Sequence, residues 1–240
     1  MIRIEGLRKD YADVVAVDDL HLQVREGELF SLLGVNGAGK TTTIKMLSCL
    51  TKPTRGDAFL GGKSITKDTA EVKDMIGVSP QETAVAPGLS VEENLALICG
   101  VHGFSKEKSA QRIAQLTKLL GLDSVLKKKA GKLSGGWQRR LSIAMALISE
   151  PKILFLDEPT LGLDVIARSD LWDLIRDLKG KTTIVLTTHY MEEAQALSDR
   201  IVIMKDGKLL ICATAQEIMD TAKTDNFEQA FISIVKGAAQ

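Results

Sequence analysis

Alternating and nearly continuous apolar segments open the chain and predict a strand-rich beginning. The alternating runs Ile2–Ile4 and Leu20–Val24 are typical of antiparallel strands. Leu29–Leu33 is almost entirely apolar and stops at a glycine, as a buried strand entering a glycine turn does. Thr41–Leu50 then predicts a helix, and Thr51–Gly62, rich in proline and glycine, predicts turns.

The middle of the chain changes period, and the last third returns to alternating strands and helices. From Val91 to Glu150 the apolar spacing is mostly helical. The later elements are strands at Ile153–Leu156, Thr183–Thr187 and Ile201–Met204, and helices at Val165–Leu178 and Met191–Leu197. Such alternation predicts a parallel sheet with helices on its faces. We therefore expect an α/β core over residues 1–90 and 151–240, which includes an N-terminal antiparallel β subdomain. An inserted α-helical subdomain covers residues 91–150.

Composition narrows the class of protein. The 240 residues include 31 basic and 31 acidic side chains, and this balance argues against a general nucleic-acid binder, which usually carries a basic excess. Charge-free stretches are far shorter than the roughly 18 residues that a membrane span needs, and the first residues contain no apolar secretory segment. Three widely spaced cysteines, Cys49, Cys99 and Cys212, predict free thiols. We expect a cytoplasmic protein.

The segment Gly34-Val35-Asn36-Gly37-Ala38-Gly39-Lys40-Thr41 carries the strongest chemical signal. It fits the pattern G-x-x-x-x-G-K-[ST] and lies between a predicted strand and a predicted helix. Glycines let consecutive backbone N–H groups converge on phosphate oxygens, and the helix N-terminus adds a favourable dipole. Lys40 can reach the β- and γ-phosphates, and the Thr41 hydroxyl can ligate Mg²⁺. The candidate nucleotide-binding residues are Gly34, Asn36, Gly37, Ala38, Gly39, Lys40, Thr41 and Thr42.

A second acidic element follows the strand Ile153–Leu156, where Asp157 and Glu158 are adjacent. Parallel strands deliver their carboxyl ends to the ligand crevice of an open sheet. Asp157 is therefore a candidate for holding Mg²⁺ through its water shell. Glu158 is a candidate general base for an attacking water.

The segment Leu133-Ser134-Gly135-Gly136 opens a predicted helix with a serine N-cap and two glycines that expose backbone N–H groups to an anion. Alone, it would be a simple helix cap. Together with the phosphate loop and the acidic strand end, it resembles the signature motif of ATP-binding cassette (ABC) ATPases. Trp137 follows it where the family usually has glutamine.

Other motifs of the family follow in order along essentially the whole chain. Gln81 resembles the Q-loop glutamine, and Asp164, in Leu161-Gly162-Leu163-Asp164, resembles the D-loop acid. His189 resembles the switch histidine, and Tyr11 is similar to the aromatic residue that stacks on adenine, the alternative being a core residue of the N-terminal sheet. The resemblance implies that Gln81 contacts Mg²⁺ and acts in catalysis with Glu158 and His189.

The resemblance also implies a fold, a cofactor set and partners. It implies a P-loop NTPase core of the RecA-like type that binds ATP and Mg²⁺. Two cassettes would sandwich ATP between the phosphate loop of one and Ser134-Gly135-Gly136 of the other. A homodimer is the simplest arrangement, and a paired, different cassette stays open.

A separate transmembrane permease would dock around Glu82–Ser90 and hold the cassette at the inner face of the cell membrane. The run Thr187–Ala194 is similar to cassettes of bacterial two-component drug and antibiotic exporters, so export is favoured over import. The alternative is a soluble ABC-type ATPase that acts on nucleic acid or the ribosome. A P-loop kinase would leave the signature segment and His189 unexplained.

Overall fold

The computed structural model describes residues 1–237, which fold into strands and helices that alternate along most of the chain. The strands are β1 (Ile2–Tyr11), β2 (Val14–Val24), β3 (Leu29–Leu33), β4 (Arg55–Leu60), β5 (Lys63–Ser64), β6 (Ile76–Ser79), β7 (Ile153–Asp157), β8 (Thr183–Thr188), β9 (Arg200–Lys205) and β10 (Lys208–Ala213). The α-helices are α1 (Lys40–Leu47), α2 (Thr69–Asp74), α3 (Val91–Val101), α4 (Lys106–Leu119), α5 (Gly135–Leu147), α6 (Val165–Leu178), α7 (Met191–Leu197), α8 (Ala215–Ala222) and α9 (Phe227–Gly237). The chain divides into two compact units, Met1–Asp74 with Lys179–Gln240, and Met75–Leu178.

The first unit contains an antiparallel sheet in the order β2-β1-β4-β5. The two predicted N-terminal strands are confirmed, since Ile2 pairs with Val24 across the β1–β2 hairpin. The turn prediction for residues 51–62 is wrong over Arg55–Leu60, which form β4. There Gly56 has a φ of 76°, and a Cβ on it would lie 2.1 Å from the Gly6 carbonyl oxygen. The glycine therefore permits close strand pairing, which local propensity alone does not indicate.

The same unit contains a second group of strands in the order β10-β9-β3-β8. β3 runs parallel to both β8 and β9, and every residue of β3 and β8 is buried. This burial explains why both read as apolar or β-branched runs rather than as alternating ones. Leu33 pairs with Thr188, so the chain leaves β3 and β8 at the same edge of the sheet.

The second unit combines one parallel strand pair with helices. β6 pairs with β7 so that Ser79 lies opposite Leu156, and both strands therefore end at the same edge. The predicted helical stretch consists of α3, α4 and α5, with two short 3₁₀ turns before α5. α5 packs closely on β6, because a Cβ on Gly77 would lie 2.2 Å from the Ala146 carbonyl oxygen.

Within residues 1–237, none of the helices combines the length and the apolar character that crossing a membrane requires. The three cysteines are free thiols, of which Cys99 is buried and Cys49 and Cys212 are half-buried.

Candidate active site

The loop between β3 and α1 has, at two positions, a backbone shape that glycine adopts without strain. Gly37 and Gly39 have φ values of 84° and 98°, in the left-handed region. A Cβ on Gly39 would also lie 2.4 Å from the Ala16 carbonyl oxygen. The loop can therefore curl as its sequence predicts, with the start of α1 directly behind it.

Lys40, the first residue of α1, turns its ammonium group back into this loop. Its Nζ donates to the carbonyl oxygens of Gly34 at 2.7 Å and Val35 at 3.2 Å, and the residue is only 5% exposed. Thr41 and Thr42 follow in the first turn of the helix and are half-buried. Lys40 thus places a positive charge inside the loop, where it can balance the charge of a polyphosphate anion.

Tyr11 lies at the tip of the β1–β2 hairpin, in the same unit as the phosphate loop. It pairs with Val14, and its ring is 44% exposed, with the Nζ of Lys9 5.0 Å from the ring centroid. Ala16 of the same hairpin contacts Gly39. An exposed aromatic ring on the hairpin that borders the phosphate loop is suited to stacking on a base, and this exposure disfavours the core alternative.

His189 follows the last residue of β8 and lies beside the beginning of the phosphate loop. The Gly34 N–H donates to the Thr188 carbonyl oxygen at 3.3 Å, so the two segments leave adjacent strands together. The imidazole is half-buried and packs against Tyr190, with ring centroids 4.2 Å apart. Gly34–Thr42, Tyr11 and His189 thus all lie in the first unit, and the segment that ends at His189 borders the phosphate loop directly.

The remaining predicted residues lie in the second unit. Asp157 ends β7 and Glu158 follows it, and both carboxylates are buried, at 5% and 8% exposure. Glu158 has a φ of 47°, a strained conformation for a side chain other than glycine, which costs about 1–2 kcal/mol. Strain of this kind concentrates at functional sites, where the surrounding structure imposes it.

Gln81 lies two residues beyond β6, at the same strand edge as Asp157, and its side chain is exposed. Its backbone is held by Arg139 of α5. The two terminal guanidinium nitrogens of Arg139 donate to the carbonyl oxygens of Pro80 and Gln81, each at 2.6 Å.

Ser134, Gly135 and Gly136 form the start of α5. Ser134 occupies the N-cap position as predicted, but its side chain accepts no capping hydrogen bond, so the predicted serine cap is right for the backbone and wrong for the hydroxyl. Gln138 stabilises the approach to this turn instead, because its Nε2 donates to the carbonyl oxygens of Ala130 and Leu133, both at 3.2 Å. We call residues Ser134–Gly136 the signature turn.

The signature turn packs on the beginning of α6. A Cβ on Gly136 would lie 3.3 Å from the Ala167 Cβ, and Arg140 forms an ion pair with Asp170 at 3.0 Å. Asp164 caps α6, since its Oδ1 accepts from the Ala167 N–H at 2.9 Å. Trp137 is half-buried, with its ring 5.1 Å from the Arg140 guanidinium.

The sequence did not indicate that the three polar residues after Trp137 hold neighbouring segments in place. Gln138, Arg139 and Arg140 each reach a different segment, namely the approach to the signature turn, the Gln81 segment and α6. Their position directly after the signature motif was the only available signal. That position does not indicate that Arg139 is buried and Arg140 only half-buried.

The donor types suit a metal that arrives with a nucleotide. Among the residues described, no group of three or more histidine, cysteine or acidic side chains could hold a metal ion by itself. Nucleotide-bound Mg²⁺ takes most of its ligands from phosphate and water and needs only one or two protein oxygens. The Thr41 hydroxyl and the buried Asp157 carboxylate are oxygen donors of this kind.

Comparisons with known proteins agree with these features. The family described as ABC transporter matches residues 17–161. The doxorubicin resistance ATP-binding protein DrrA of Mycobacterium tuberculosis is 43% identical over 223 residues, which cover 91% of this chain and 67% of that protein. The human phospholipid-transporting ATPase ABCA3 is 42% identical over 218 residues, which cover 89% of this chain but only 13% of that much longer protein.

A solved structure extends the agreement to the fold. An ATP-binding cassette determined as a dimer in a post-hydrolysis state with ADP and Pi superposes with a TM-score of 0.80 at 28% identity, covering 89% of this chain and 98% of that one. The α/β P-loop NTPase fold predicted from the sequence is therefore confirmed. By its motifs, its fold and its match over more than half of its length, the chain belongs to the ABC transporter family.

Proposed function

We propose that this chain is the ATP-binding and ATP-hydrolysing subunit of an ABC transporter and that it drives export through a separate transmembrane permease. The observation that carries the proposal is the phosphate loop. The Lys40 ammonium lies inside a glycine-shaped loop, where it can exchange its contacts with two carbonyl oxygens for contacts with phosphate oxygens.

In the proposed reaction, the predicted residues have separate roles on one ATP. The loop residues Gly34–Thr42 bind the phosphates, and Tyr11 stacks on adenine. Mg²⁺, when bound, neutralises phosphate charge, and Thr41, Asp157 and Gln81 are the residues that would hold it.

Glu158 is the general base. It accepts a proton from the water whose oxygen bonds to the γ-phosphorus, while the bond from that phosphorus to the bridging oxygen breaks and ADP leaves with the electron pair. His189 and Gln81 orient the γ-phosphate and the water. The buried position of Glu158 supports this role, because a carboxylate held in place by the surrounding fold can be kept within hydrogen-bond reach of the attacking water.

A second cassette completes the site in this proposal. The Ser134 hydroxyl does not cap its own helix, and α5 begins with two glycines whose N–H groups face outward from the helix end. The signature turn is thus suited to the γ-phosphate of an ATP held by another copy, with Asp164 nearby in the same unit. The dimeric cassette described above supports this arrangement, and a homodimer is the simplest form. In this proposal the signature turn belongs to the helical subdomain over residues 91–150, and the α/β core comprises residues 1–90 and 151–240.

The permease would dock around Glu82–Ser90 and hold the cassette at the cytoplasmic face of the membrane. Most of this segment is exposed or half-buried, so it is accessible to a partner helix. Similarity to a protein named for doxorubicin resistance favours a drug-type exporter. The alternative, a soluble ABC-type ATPase acting on nucleic acid or the ribosome, predicts ATP hydrolysis stimulated by nucleic acid rather than by membranes. The balanced charge argues against it.

The test compares two substitutions at the same site. Glu158→Gln is expected to retain ATP binding but to lower turnover by about a thousandfold, because the base is lost while the anion site remains. It should also accumulate an ATP-dependent dimer on size-exclusion chromatography. Lys40→Ala is the contrasting variant, because it should lose ATP binding and form no dimer. Undiminished hydrolysis by Glu158→Gln would reject Glu158 as the base, and unchanged ATP affinity in Lys40→Ala would remove Lys40 from the phosphate site.

A further inference from the structure

Arg139 is a buried cation that donates hydrogen bonds to the backbone of another segment. Only 4% of the residue is exposed, although it lies one turn into α5. Its guanidinium reaches two consecutive carbonyl oxygens, those of Pro80 and Gln81. Burying a charge is costly unless hydrogen bonds compensate it, so this placement needs a physical reason.

The fork geometry supplies that reason. A guanidinium presents its N–H groups in a rigid plane, and two charge-assisted bonds from one group fix both the position and the direction of the two acceptors. Consecutive carbonyl oxygens held by one fork force the chain to bend after β6. That bend directs the Gln81 side chain outward, where it is exposed.

A second contact between the same two elements reinforces the first. The hydroxyl groups of Ser79 and Ser142 are 2.9 Å apart, and both residues are buried. Ser142 lies three residues after Arg139 on α5, and Ser79 is the last residue of β6. Two side chains of one helix face therefore hold the end of β6 and the two residues after it.

We propose that Arg139 is a positioning residue that ties the Gln81 segment to α5, so that Gln81 and the signature turn move as one body. Binding at one of them then changes the position of the other. The inference rests on the proposed function, because it takes Gln81 and the signature turn as parts of the active site.

The test uses Arg139→Lys, which keeps the charge but removes the fork. We expect kcat for ATP hydrolysis to fall by about tenfold, since displacing a positioned group by a fraction of an ångström has effects of this order. The KM for ATP should stay within about twofold, because the phosphate loop binds ATP without Arg139. Amides within residues 80–90 should exchange with deuterium faster than in the unsubstituted protein.

Arg112→Lys is a matched control. Arg112 also forks onto two consecutive carbonyl oxygens, those of Leu147 and Ile148 at 2.5 and 3.1 Å, but at the far end of α5. Its substitution should lower the melting temperature without changing kcat or the exchange of residues 80–90. A purely structural role of Arg139 predicts the same result for both variants.

The double variant Gln81→Ala with Arg139→Lys decides whether Arg139 acts through Gln81. If it does, the double variant has the kcat of Gln81→Ala alone. If the two reductions multiply, or if exchange at residues 80–90 is unchanged, the inference is overturned while the proposed function stands. If Gln81→Ala alone leaves kcat unchanged, the assignment of Gln81 in the proposed function fails as well. Arg139→Gln, which keeps one amide donor, is judged by the same criteria should Arg139→Lys fail to fold.

Discussion

The phosphate loop and the signature turn both present backbone N–H groups at the start of a helix, yet they are held by different means. The phosphate loop is shaped by its own backbone, with Gly37 and Gly39 in conformations that other residues avoid. The signature turn contains two glycines without positive φ, and it is supported by side chains from the following turn of α5.

This difference has a consequence for how each region responds to change. A loop whose shape depends on glycine conformation tolerates no side chain at a crowded position, whatever lies around it. The signature turn opens a helix that Gln138, Arg139 and Arg140 attach to three neighbouring segments, and a substitution removes one attachment while the others remain. We therefore expect single substitutions to cause large losses of function in the phosphate loop and smaller, stepwise losses of stability in the signature turn.

The largest effect is expected for Gly39→Ala in the phosphate loop. The new Cβ would lie 2.4 Å from the Ala16 carbonyl oxygen, so the loop and the β1–β2 hairpin must move apart. ATP binding, measured by isothermal titration calorimetry, should weaken by about a hundredfold. Gly37→Ala is the control, because it has a positive φ but no atom within 4 Å of the added Cβ, and it should cost only about 1–2 kcal/mol of stability. Equal ATP affinity in the two variants would contradict the steric explanation.

An intermediate effect is expected for Gln138→Ala in the signature region. The substitution leaves the carbonyl oxygens of Ala130 and Leu133 without the amide donor, which costs about 1–2 kcal/mol. For a chain of this size that corresponds to a melting temperature lower by about 2–8 °C, measured by differential scanning calorimetry. Gln115→Ala, at an exposed glutamine on α4, should change the melting temperature by less than about 1 °C. ATP affinity should be unchanged in both variants, and a loss of ATP binding in Gln138→Ala would mean that the two regions are not held separately.

The smallest effect is expected for Trp137→Gln, which restores the residue that the family usually has. The ring lies 5.1 Å from the Arg140 guanidinium, and a cation–π contact at a partly exposed site contributes about 0.5–1 kcal/mol. Because Arg140 keeps its ion pair with Asp170, the signature turn should stay in place. Steady-state ATPase activity should remain within a few-fold of the unsubstituted protein, and a complete loss would show that the indole itself takes part in the site.

Several elements could be predicted closely from the chain because one strong local pattern specifies each of them. β3, α6 and α7 have the predicted bounds, since each combines a clear period with a glycine, a cap or a strand end. β4 was missed because Gly56 reads locally as a turn residue, whereas in the fold it permits close pairing with β1. Local propensity competes with strand pairing here, and only the paired partner decides the outcome.

The residues of the candidate site also differ in how far the sequence alone identifies them. Gly34–Thr41 and the pair Asp157–Glu158 could be found because their chemistry is contiguous in sequence. Gln81 and His189 could be found only through the order of the family motifs, since a lone glutamine or histidine carries no specific signal. The prediction that the Ser134 side chain caps α5 was wrong, because a serine at this position indicates the helix boundary but not the direction of its hydroxyl.

By itself, the sequence determined the family, the strand–loop–helix that forms the phosphate site and the residue types available for chemistry, because contiguous motifs need no knowledge of distant neighbours. Which of two adjacent arginines is buried became known from the folded structure alone. Consecutive residues of a helix point about 100° apart, so Arg139 reaches the Gln81 segment while Arg140 reaches Asp170. Which direction meets a carbonyl oxygen and which meets a carboxylate depends on segments some 30 to 60 residues away, and this information exists only once the chain has folded.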